Sequence, residues 1–479
     1  MATRNVRSKP PKAVGLSPTA NSGVPPAHDE QAGRYRPLPT GTHGLDPELV
    51  KRDQRGRLQK AMVELIARKG YPGVRIVDLA KLAHVSQPTF YNLYADKEDL
   101  FLSAYDEVAA RTGRTVMEAY DADSPREQRL TAAMRAWAEL AAAEPEATSL
   151  LVLGAFGAGA RALGRRRRVL EELERSIHAS RDGAPTAAPG DLTVKAILGG
   201  IREVTAARLR EGRADELPEL ADELTAWATC YPRRLPDGLD APLAKSTGSS
   251  EGTTAPPSER ARRAEGRLPS GRSDLPRQFI VKSQRERIVD ATAAIVAEKG
   301  LAALTIPEIA RRANVSHQTF YDIYSSKHDA FLGAQKVGMH QALTVAVEAY
   351  QAESDDWPRA ARAGLRALLE YLASEPAHAH LSVVDTFAAC PEAIEIRNAT
   401  LQAFGAYFGP GYELARGHVE VPTIASEAIA GGIWQVMHHY VENDCIAELP
   451  GAGAQLTYFA LTPFIGPLQA AAYAVPDSA

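Results

Sequence analysis

Residues 85–94 read VSQPTFYNLY, and residues 315–324 read VSHQTFYDIY. The second stretch lies 230 positions after the first, and an ungapped comparison of residues 58–102 with residues 288–332 gives 17 identities in 45 positions. The repeats of solenoid proteins are only about 20–50 residues long. The longer offset therefore indicates a duplicated domain, for which a chain of 479 residues is long enough.

The apolar residues before each stretch recur at helical spacing. Leu58, Met62 and Leu65 mark one face of a first helix, as Ile288 and Ile295 do in the second copy. A shorter second helix follows in each copy. The pattern therefore predicts two helices ahead of each quoted stretch.

A turn then leads into a third helix. His84 and Asn314 occupy the turn position that we expect to have a positive φ, which His and Asn adopt more readily than most residues. Ser86 and Ser316 are expected to cap the third helix, because a serine oxygen can accept a hydrogen bond from its first free N–H groups. Helix, turn and capped helix make a helix-turn-helix, whose last helix can lie in the major groove of DNA.

With these residues each copy resembles the DNA-binding domain of the TetR/AcrR family of bacterial transcriptional regulators. The matching residues are Gly70, Leu79, Ala80, Ala83, Val85, Ser86, Thr89, Phe90, Tyr91, Lys97 and Leu100 in the first copy, and Gly300, Thr305, Ile309, Ala310, Ala313, Val315, Ser316, Thr319, Phe320, Tyr321, Lys327 and Phe331 in the second. His84 and Asn314 replace the usual turn glycine, and Arg75 stands where the family has a helix-capping threonine. Downstream of these segments the resemblance covers only the general helix layout.

The resemblance implies an all-α fold of two tandem TetR-like units. Each unit is expected to have an N-terminal three-helix domain with the helix-turn-helix, followed by a helical domain for ligand binding and dimerisation. The predicted segments are a basic tail at 1–50, helix-turn-helix domains at 51–105 and 281–335, helical effector domains at 106–235 and 336–475, and a linker at 236–280. The tail and linker are rich in Pro, Gly, Ser and charge, which predicts disorder.

The resemblance also implies roles for individual side chains on DNA. Phosphate contacts are expected from the Tyr, Thr and Lys positions, and base contacts from Gln87, Pro88 and Asn92 in one copy and from His317, Gln318 and Asp322 in the other. The full set of expected DNA-binding residues is Arg75, Ser86, Gln87, Pro88, Thr89, Tyr91, Asn92, Lys97, Thr305, Ser316, His317, Gln318, Thr319, Tyr321, Asp322 and Lys327. Because the copies differ at all three base-reading positions, we expect two half-sites of different sequence.

Charge supports this location for DNA contact. Residues 51–105 contain ten basic and six acidic side chains, and residues 277–335 contain eight and six, whereas the whole chain has a net charge of -4. Two other patterns favour ordinary structural roles. Phe90, Phe320, Tyr94 and Tyr324 lie at core spacing, and the arginine run at 165–168 is expected to form a solvated helix surface.

In the family, the downstream region binds a small molecule, and its pockets are apolar and aromatic with few polar groups. Aromatic residues number four over 121–235 but thirteen over 351–474, so a working pocket is expected in the second copy. An equal alternative is that these rings only fill the core. The candidate pocket residues are Trp137, Phe156, Tyr371, Phe387, Trp434 and His438.

Gly199-Gly200 and Gly431-Gly432 fall within helical runs, where glycine costs about 1 kcal/mol relative to alanine. A close helix–helix approach would account for them, and their apolar neighbours suit a four-helix interface. The linker has a root-mean-square reach of roughly 35–40 Å. It can therefore span the ~34 Å between two helix-turn-helix domains, here called reading heads, that bind one helical turn of DNA apart. We favour an intramolecular pseudo-dimer of the two copies, and a homodimer of tandem chains remains open.

These expectations define a sequence-specific transcriptional regulator of double-stranded operator DNA, acting as a repressor that a small apolar effector releases. The alternatives are an activator or architectural DNA-binding protein without ligand, and a protein–protein module that has lost DNA binding. No catalytic motif is present, so we expect no enzyme activity and no cofactor or metal. Three distant cysteines and the lack of a long apolar stretch favour a reducing cytoplasm with no membrane contact. The resemblance implies that this is the bacterial cytoplasm, at the nucleoid.

Overall fold

The computed structural model describes residues 46–120, 124–182, 192–232, 235–236, 239, 277–386 and 390–475. Nearly all of the predicted tail, most of the predicted linker, Phe387 and the side chain of Phe156 lie outside the described residues. The described residues are helical and contain no strand, which confirms the all-α prediction. None of their helices is long and apolar enough to cross a bilayer.

The two copies share most of one helix order, with nine α-helices described in the first copy and ten in the second. The first copy contains α1 (Pro47–Gly73), α2 (Ile76–Leu82), α3 (Gln87–Leu93), α4 (Lys97–Ala119), α5 (Arg126–Ala143), α6 (Pro145–Val152), α7 (Ala160–Asp182), α8 (Leu192–Arg210) and α9 (Leu217–Thr229). The second contains α10 (Arg277–Lys299), α11 (Ile306–Ala313), α12 (His317–Ile323), α13 (Lys327–Ala352), α14 (Trp357–Ser374), α15 (Pro376–Val383), α16 (Pro391–Gly405), α17 (Gly409–Ala415), α18 (Ala425–Glu442) and α19 (Gly453–Ala474). Short 3-10 helices occur at Gly154–Gly157, Ala214–Glu216, Leu301–Ala303, Ala406–Phe408 and Ile446–Ala452.

The turn before each third helix has the predicted geometry. His84 and Asn314 have φ angles of 52° and 50°. The Oγ of Ser86 accepts a hydrogen bond from the Thr89 N–H at 3.1 Å, and the same bond in the second copy, from Thr319 to Ser316, measures 3.0 Å. Both predictions are confirmed, and α3 and α12 therefore start from matching caps.

Each helix-turn-helix domain continues into its second domain through one long helix. Helix α4 is capped by Asp96 and runs on past residue 105, and α13 is capped by Ser326 and runs on past residue 335. The domain boundaries predicted at these two positions therefore fall inside helices. Such a continuous helix can transmit a displacement of the second domain to the reading head.

Each helix-turn-helix domain has its own apolar core, and a larger third core joins parts of the two second domains. Phe90 and Phe320 are fully buried at the centres of the two small cores, and Tyr94 and Tyr324 are 5% and 8% exposed beside them. This confirms that these rings have packing roles. The largest core combines residues of α8 and α9 with residues of α13 to α19, so the first copy is packed against the second within one chain.

The closest contact between the copies is the crossing of α8 and α18. A Cβ atom added to Gly199 would overlap Gln435, and one added to Gly431 would overlap Glu203. A Cβ at Gly200 would lie 2.5 Å from the carbonyl oxygen of Ala428. The predicted close helix–helix approach is confirmed, and glycine is required because backbone faces backbone.

Aromatic and charged contacts extend this interface on both sides of the crossing. The ring of Tyr231 stacks on Phe459 with centroids 5.0 Å apart, and its hydroxyl donates to the Phe459 carbonyl at 3.1 Å. Arg208 of α8 pairs with Glu427 of α18 at 3.0 Å. Together with α9 and α19, the two crossing helices form a four-helix contact inside the chain.

We expect Gly200→Ala to destabilise the folded chain by about 1–3 kcal/mol, since the added methyl group overpacks a site bounded by backbone. Gly113 offers a matched control, because it lies in α4 with no atom within 4 Å of an added Cβ. Gly113→Ala should stabilise by about 0.5–1 kcal/mol through its higher helix propensity. Denaturant unfolding of both variants measures the difference, and equal effects would contradict the close crossing.

Candidate nucleic-acid interface

The third helices of the two copies expose the same positions. Tyr91 is 56% and Tyr321 is 55% exposed. The other exposed positions of these helices are Gln87, Pro88 and Asn92 in α3 and His317, Gln318 and Asp322 in α12. The residues predicted to contact bases therefore lie together on one solvent-facing surface of each domain.

At the start of each third helix, two side-chain hydroxyl groups form a hydrogen bond with each other. The Oγ of Ser86 lies 2.8 Å from Thr89 Oγ1, and Ser316 Oγ lies 2.9 Å from Thr319 Oγ1. Thr89 and Thr319 are only partly exposed. The pair fixes both side chains at the helix N-terminus, where backbone N–H groups also favour an anion such as a phosphate.

The positions predicted to read bases differ in chemistry between the copies. In α12 the amide of Gln318 donates to the Asp322 carboxylate at 2.9 Å, which joins the two side chains into one unit. In α3 the corresponding positions are Pro88 and Asn92, which cannot form such a pair. The two surfaces therefore offer different donors and acceptors to a base edge.

The two predicted phosphate-binding lysines are hydrogen-bonded to the backbone of their own domain. Lys97 Nζ donates to the carbonyl oxygens of Tyr71 and Val74, both at 3.0 Å, and lies 4.1 Å from the Tyr71 ring centroid. Lys327 Nζ donates to the Leu304 carbonyl at 3.0 Å. Burial lowers the pKa of the Lys97 ammonium group. These lysines fasten the start of α4 and α13 to the segment before the second helix.

The residues that precede the second helices behave differently. Thr305 caps α11 by accepting from the Glu308 N–H at 3.4 Å. Arg75 does not cap α2, and its guanidinium instead pairs with Asp78 at 2.9 Å. Arg75 remains 72% exposed, so it stays available for contact with a phosphate.

Sequence reasoning missed one arginine in each copy that holds the turn. Arg57 Nη1 donates to the carbonyl oxygens of Ala83 and His84, the latter at 3.1 Å. Arg287 Nη1 makes the same bonds to Ala313 at 2.9 Å and Asn314 at 3.0 Å. Both arginines occur at the repeat offset, one residue before the compared segments, so extending the comparison would have found them.

Two adjoining apolar cavities lie in the second copy. The larger one is lined by residues of α13, α14, α15, α16 and α18, and its volume is about 50 Å³. Its walls include Met339, Leu372, Leu401 and Phe404. The neighbouring cavity shares Leu343, Phe404 and Ile433 with it and offers about 30 Å³.

Of the six candidate pocket residues, Tyr371 and Trp434 line the larger cavity. His438 lines a separate charged cleft between the copies, and Trp434 forms part of that cleft as well. Trp137 donates its indole N–H to Thr205 at 3.3 Å and lines none of these spaces. The structure thus brings together two of the three aromatic candidates of the second copy, and the third, Phe387, lies outside the described residues.

The arginine run in α7 is not the solvated surface that the sequence suggested. Arg166 is 3% exposed, and Arg167 donates to the Asn443 side chain of the second copy at 3.1 Å. Arg165 pairs with Asp106 of α4 at 2.5 Å. The helix was predicted correctly and Arg168 is exposed, but the solvated interpretation was wrong for Arg166 and Arg167, because their side of the helix packs against the other copy.

The comparisons with known proteins agree with the repeat. Residues 59–104 and 288–333 each match the family model of bacterial regulatory proteins, tetR family, which confirms the resemblance in both copies. No curated protein matches the chain in sequence.

Similar solved structures cover about a third of the chain. The fatty acid degradation regulator FadR from Bacillus halodurans is 18% identical, with a TM-score of 0.33 over 36% of this chain and 96% of that one. FadR from Bacillus subtilis in complex with stearoyl-CoA is 17% identical, with a TM-score of 0.33 and coverage of 36% and 96%. A TetR-like regulator from Rhodococcus sp. RHA1 is 19% identical, with a TM-score of 0.31 and coverage of 38% and 97%.

We expect the turn geometry to control the second reading head. Asn314→Val should destabilise the fold by about 1–3 kcal/mol, because a β-branched residue is strained at positive φ. Asn314→Gly, the matched variant, should remain within about 1 kcal/mol of the original protein. Thermal unfolding and duplex binding of both variants measure this, and equal behaviour of the two would show that the turn does not matter.

Proposed function

We propose that this chain, a DNA-binding transcriptional regulator with two TetR-family domains in tandem, is a repressor that reads one operator with both domains. The two copies of one chain take the place of the two subunits of a dimer. A small apolar ligand in the second copy releases the repressor from DNA. The protein acts on nucleoid DNA in the bacterial cytoplasm.

The observation that carries the proposal is the contact between α8 and α18. The four-helix surface that a dimer would need is already occupied by the other copy, with glycine facing glycine at the crossing. A second chain would have to displace the apolar core that the copies share. Because one body then holds both reading heads, their separation is set within the chain.

On DNA we assign positioning and reading to different side chains. The exposed hydroxyls of Tyr91 and Tyr321, with the N-termini of α3 and α12, meet phosphates and set the register. Gln87 and Asn92 read one half-site, and His317 with the Gln318 amide reads the other. Because the two sets of groups differ, the operator is asymmetric.

Ligand control has a structural route to the second reading head. His378 of α15 lines the larger cavity, and its Nε2 lies 3.1 Å from Asp290 of α10, the first helix of that head. A ligand that shifts α15 therefore shifts α10. The corresponding residues of the first copy are Ala147 and Lys60, which cannot make this bond. Ligand control thus acts through the second copy.

Selection of random duplex DNA with the full-length chain tests the proposal. We expect two enriched half-sites of unlike sequence about one helical turn apart. Gln87→Ala should relax the sequence of one half-site and His317→Ala that of the other, each costing about 1–3 kcal/mol in discrimination. Hexan-1-ol should release bound duplex from the original protein.

A symmetric site would contradict reading by both copies, and no enrichment would contradict sequence-specific binding altogether. Relaxation of both half-sites by one substitution would contradict the assignment of one copy to each. Unchanged retention of the duplex in hexan-1-ol, across its solubility range, would contradict release by an apolar ligand.

A further inference from the structure

Between the two copies lies a cleft lined by an excess of positive charge, which we call the arginine cleft. Its charged walls are Arg166, Arg202 and Arg210 of the first copy, Arg397 of the second, and one carboxylate, Glu203. Arg166 and Arg397 are each only 3% exposed. Buried charges are stable only when they are compensated. Four guanidinium groups line the cleft with one carboxylate, and Glu442, which is not part of the lining, also stabilises the charge of Arg166.

Glu203 is already shared by two of these arginines. Its carboxylate pairs with Arg397 at 2.7 Å and with Arg210 at 2.9 Å. Burial alone would raise the pKa of Glu203, but these two arginines lower it to about 2. The carboxylate is therefore ionised, and its negative charge is paired with Arg397 and Arg210 at one end of the cleft.

The other end offers only neutral partners to Arg202. Its Nη1 donates to the amide oxygen of Gln435 at 2.9 Å and its Nη2 to the Val152 carbonyl at 3.1 Å, and no ion pair involves it among the described residues. Arg166 Nη2 reaches the same Gln435 oxygen at 3.4 Å. Burial and repulsion from Arg166 lower the pKa of Arg202 to about 9, so Arg202 remains charged at neutral pH.

Two like charges that converge on one neutral oxygen form a site that an oxyanion would complete. The cleft has a volume of about 30 Å³, more than the ~10–15 Å³ that one water molecule requires. Arg210 Nη1 is also buried without a hydrogen-bond partner among the described residues. Guanidinium groups bind carboxylates and phosphates by paired N–H donors.

We propose that the arginine cleft binds the oxyanion head group, carboxylate or phosphate, of a small organic anion. The indole of Trp434 separates the cleft from the apolar cavity of the second copy and lines both. Arg397 lies 4.7 Å from its ring centroid. An apolar tail can therefore pass along Trp434 into the cavity while the head group binds both copies.

This inference names the ligand chemistry of the proposed function. The effect of the anion on repression rests on that proposed function. The bound anion would join α7 and α8 of the first copy to α16 and α18 of the second, where the angle between the copies is set. Binding of the anion itself is measured without DNA, so failure of the site and failure of the repressor function are distinguishable.

The test is calorimetric and thermal titration of the full-length chain with hexanoate, with inorganic phosphate and with hexan-1-ol, at an ionic strength held constant with NaCl. We expect at least one of the two anions to bind and to raise the Tm. A response to hexanoate alone assigns a carboxylate with a tail, and a response to phosphate alone assigns a phosphate group. Hexan-1-ol lacks the charge and reports only on the apolar cavity.

Two variants test the site itself. Arg202→Met should weaken anion binding at least about tenfold, since it removes a charged hydrogen-bond donor from the anion. Gln435→Glu places a carboxylate between Arg202 and Arg166, and should raise the Tm of the ligand-free chain and abolish the response to anions. Arg135→Met removes an exposed arginine that is paired with Asp222 outside the cleft and should leave binding unchanged.

The proposal is overturned if neither anion binds beyond the NaCl control, or if Arg202→Met binds as tightly as the original chain. A lower Tm of the ligand-free Gln435→Glu chain would also overturn it, because the converging charges would then not need an anion. Loss of DNA binding with intact anion binding would contradict the repressor function alone.

Discussion

The crossing of α8 and α18 is the contact on which the rest of the molecule depends. Each helix places glycine where the other helix passes, so that the two backbones come close and the side chains of Gln435, Glu203 and Trp227 occupy the space that a Cβ would need. This close approach brings Trp227, Tyr231 and Phe459 into one core and aligns Arg208 with Glu427. It also closes the arginine cleft, which neither copy could form alone. A duplicated chain thereby becomes one body with two unlike reading heads.

Much of this could be predicted from the sequence because it depends on local chemistry. The positive φ of His84 and Asn314, the serine caps and the buried Phe90 and Phe320 each follow from a few neighbouring residues and recur at the same offset. A close helix crossing could also be proposed from the paired glycines, since each glycine inside a helix costs about 1 kcal/mol relative to alanine. Because the identities recur at a fixed offset of 230 residues, each of these inferences was supported by both copies.

What the sequence did not reveal depends on contacts between distant segments. Arg166 lies in an arginine run whose helical spacing predicts pairing with nearby glutamates, yet it is buried because α7 packs against the other copy. The arginine cleft combines residues 166, 202, 210 and 397, and no spacing rule connects them. Likewise the lysines at 97 and 327 match a DNA-binding pattern, but their bonds to backbone carbonyls are visible only in three dimensions. Long polar side chains can contact residues that are distant in the sequence, and the packing of the helices determines which residues these are.

The central claim is that one chain supplies both halves of the DNA-binding unit. The mass of the complex with its selected duplex, measured by sedimentation or light scattering, tests it most directly. The account predicts one chain of 51.5 kDa per duplex over a wide range of protein concentration. Two chains per duplex, with binding that depends on the square of the protein concentration, would contradict it.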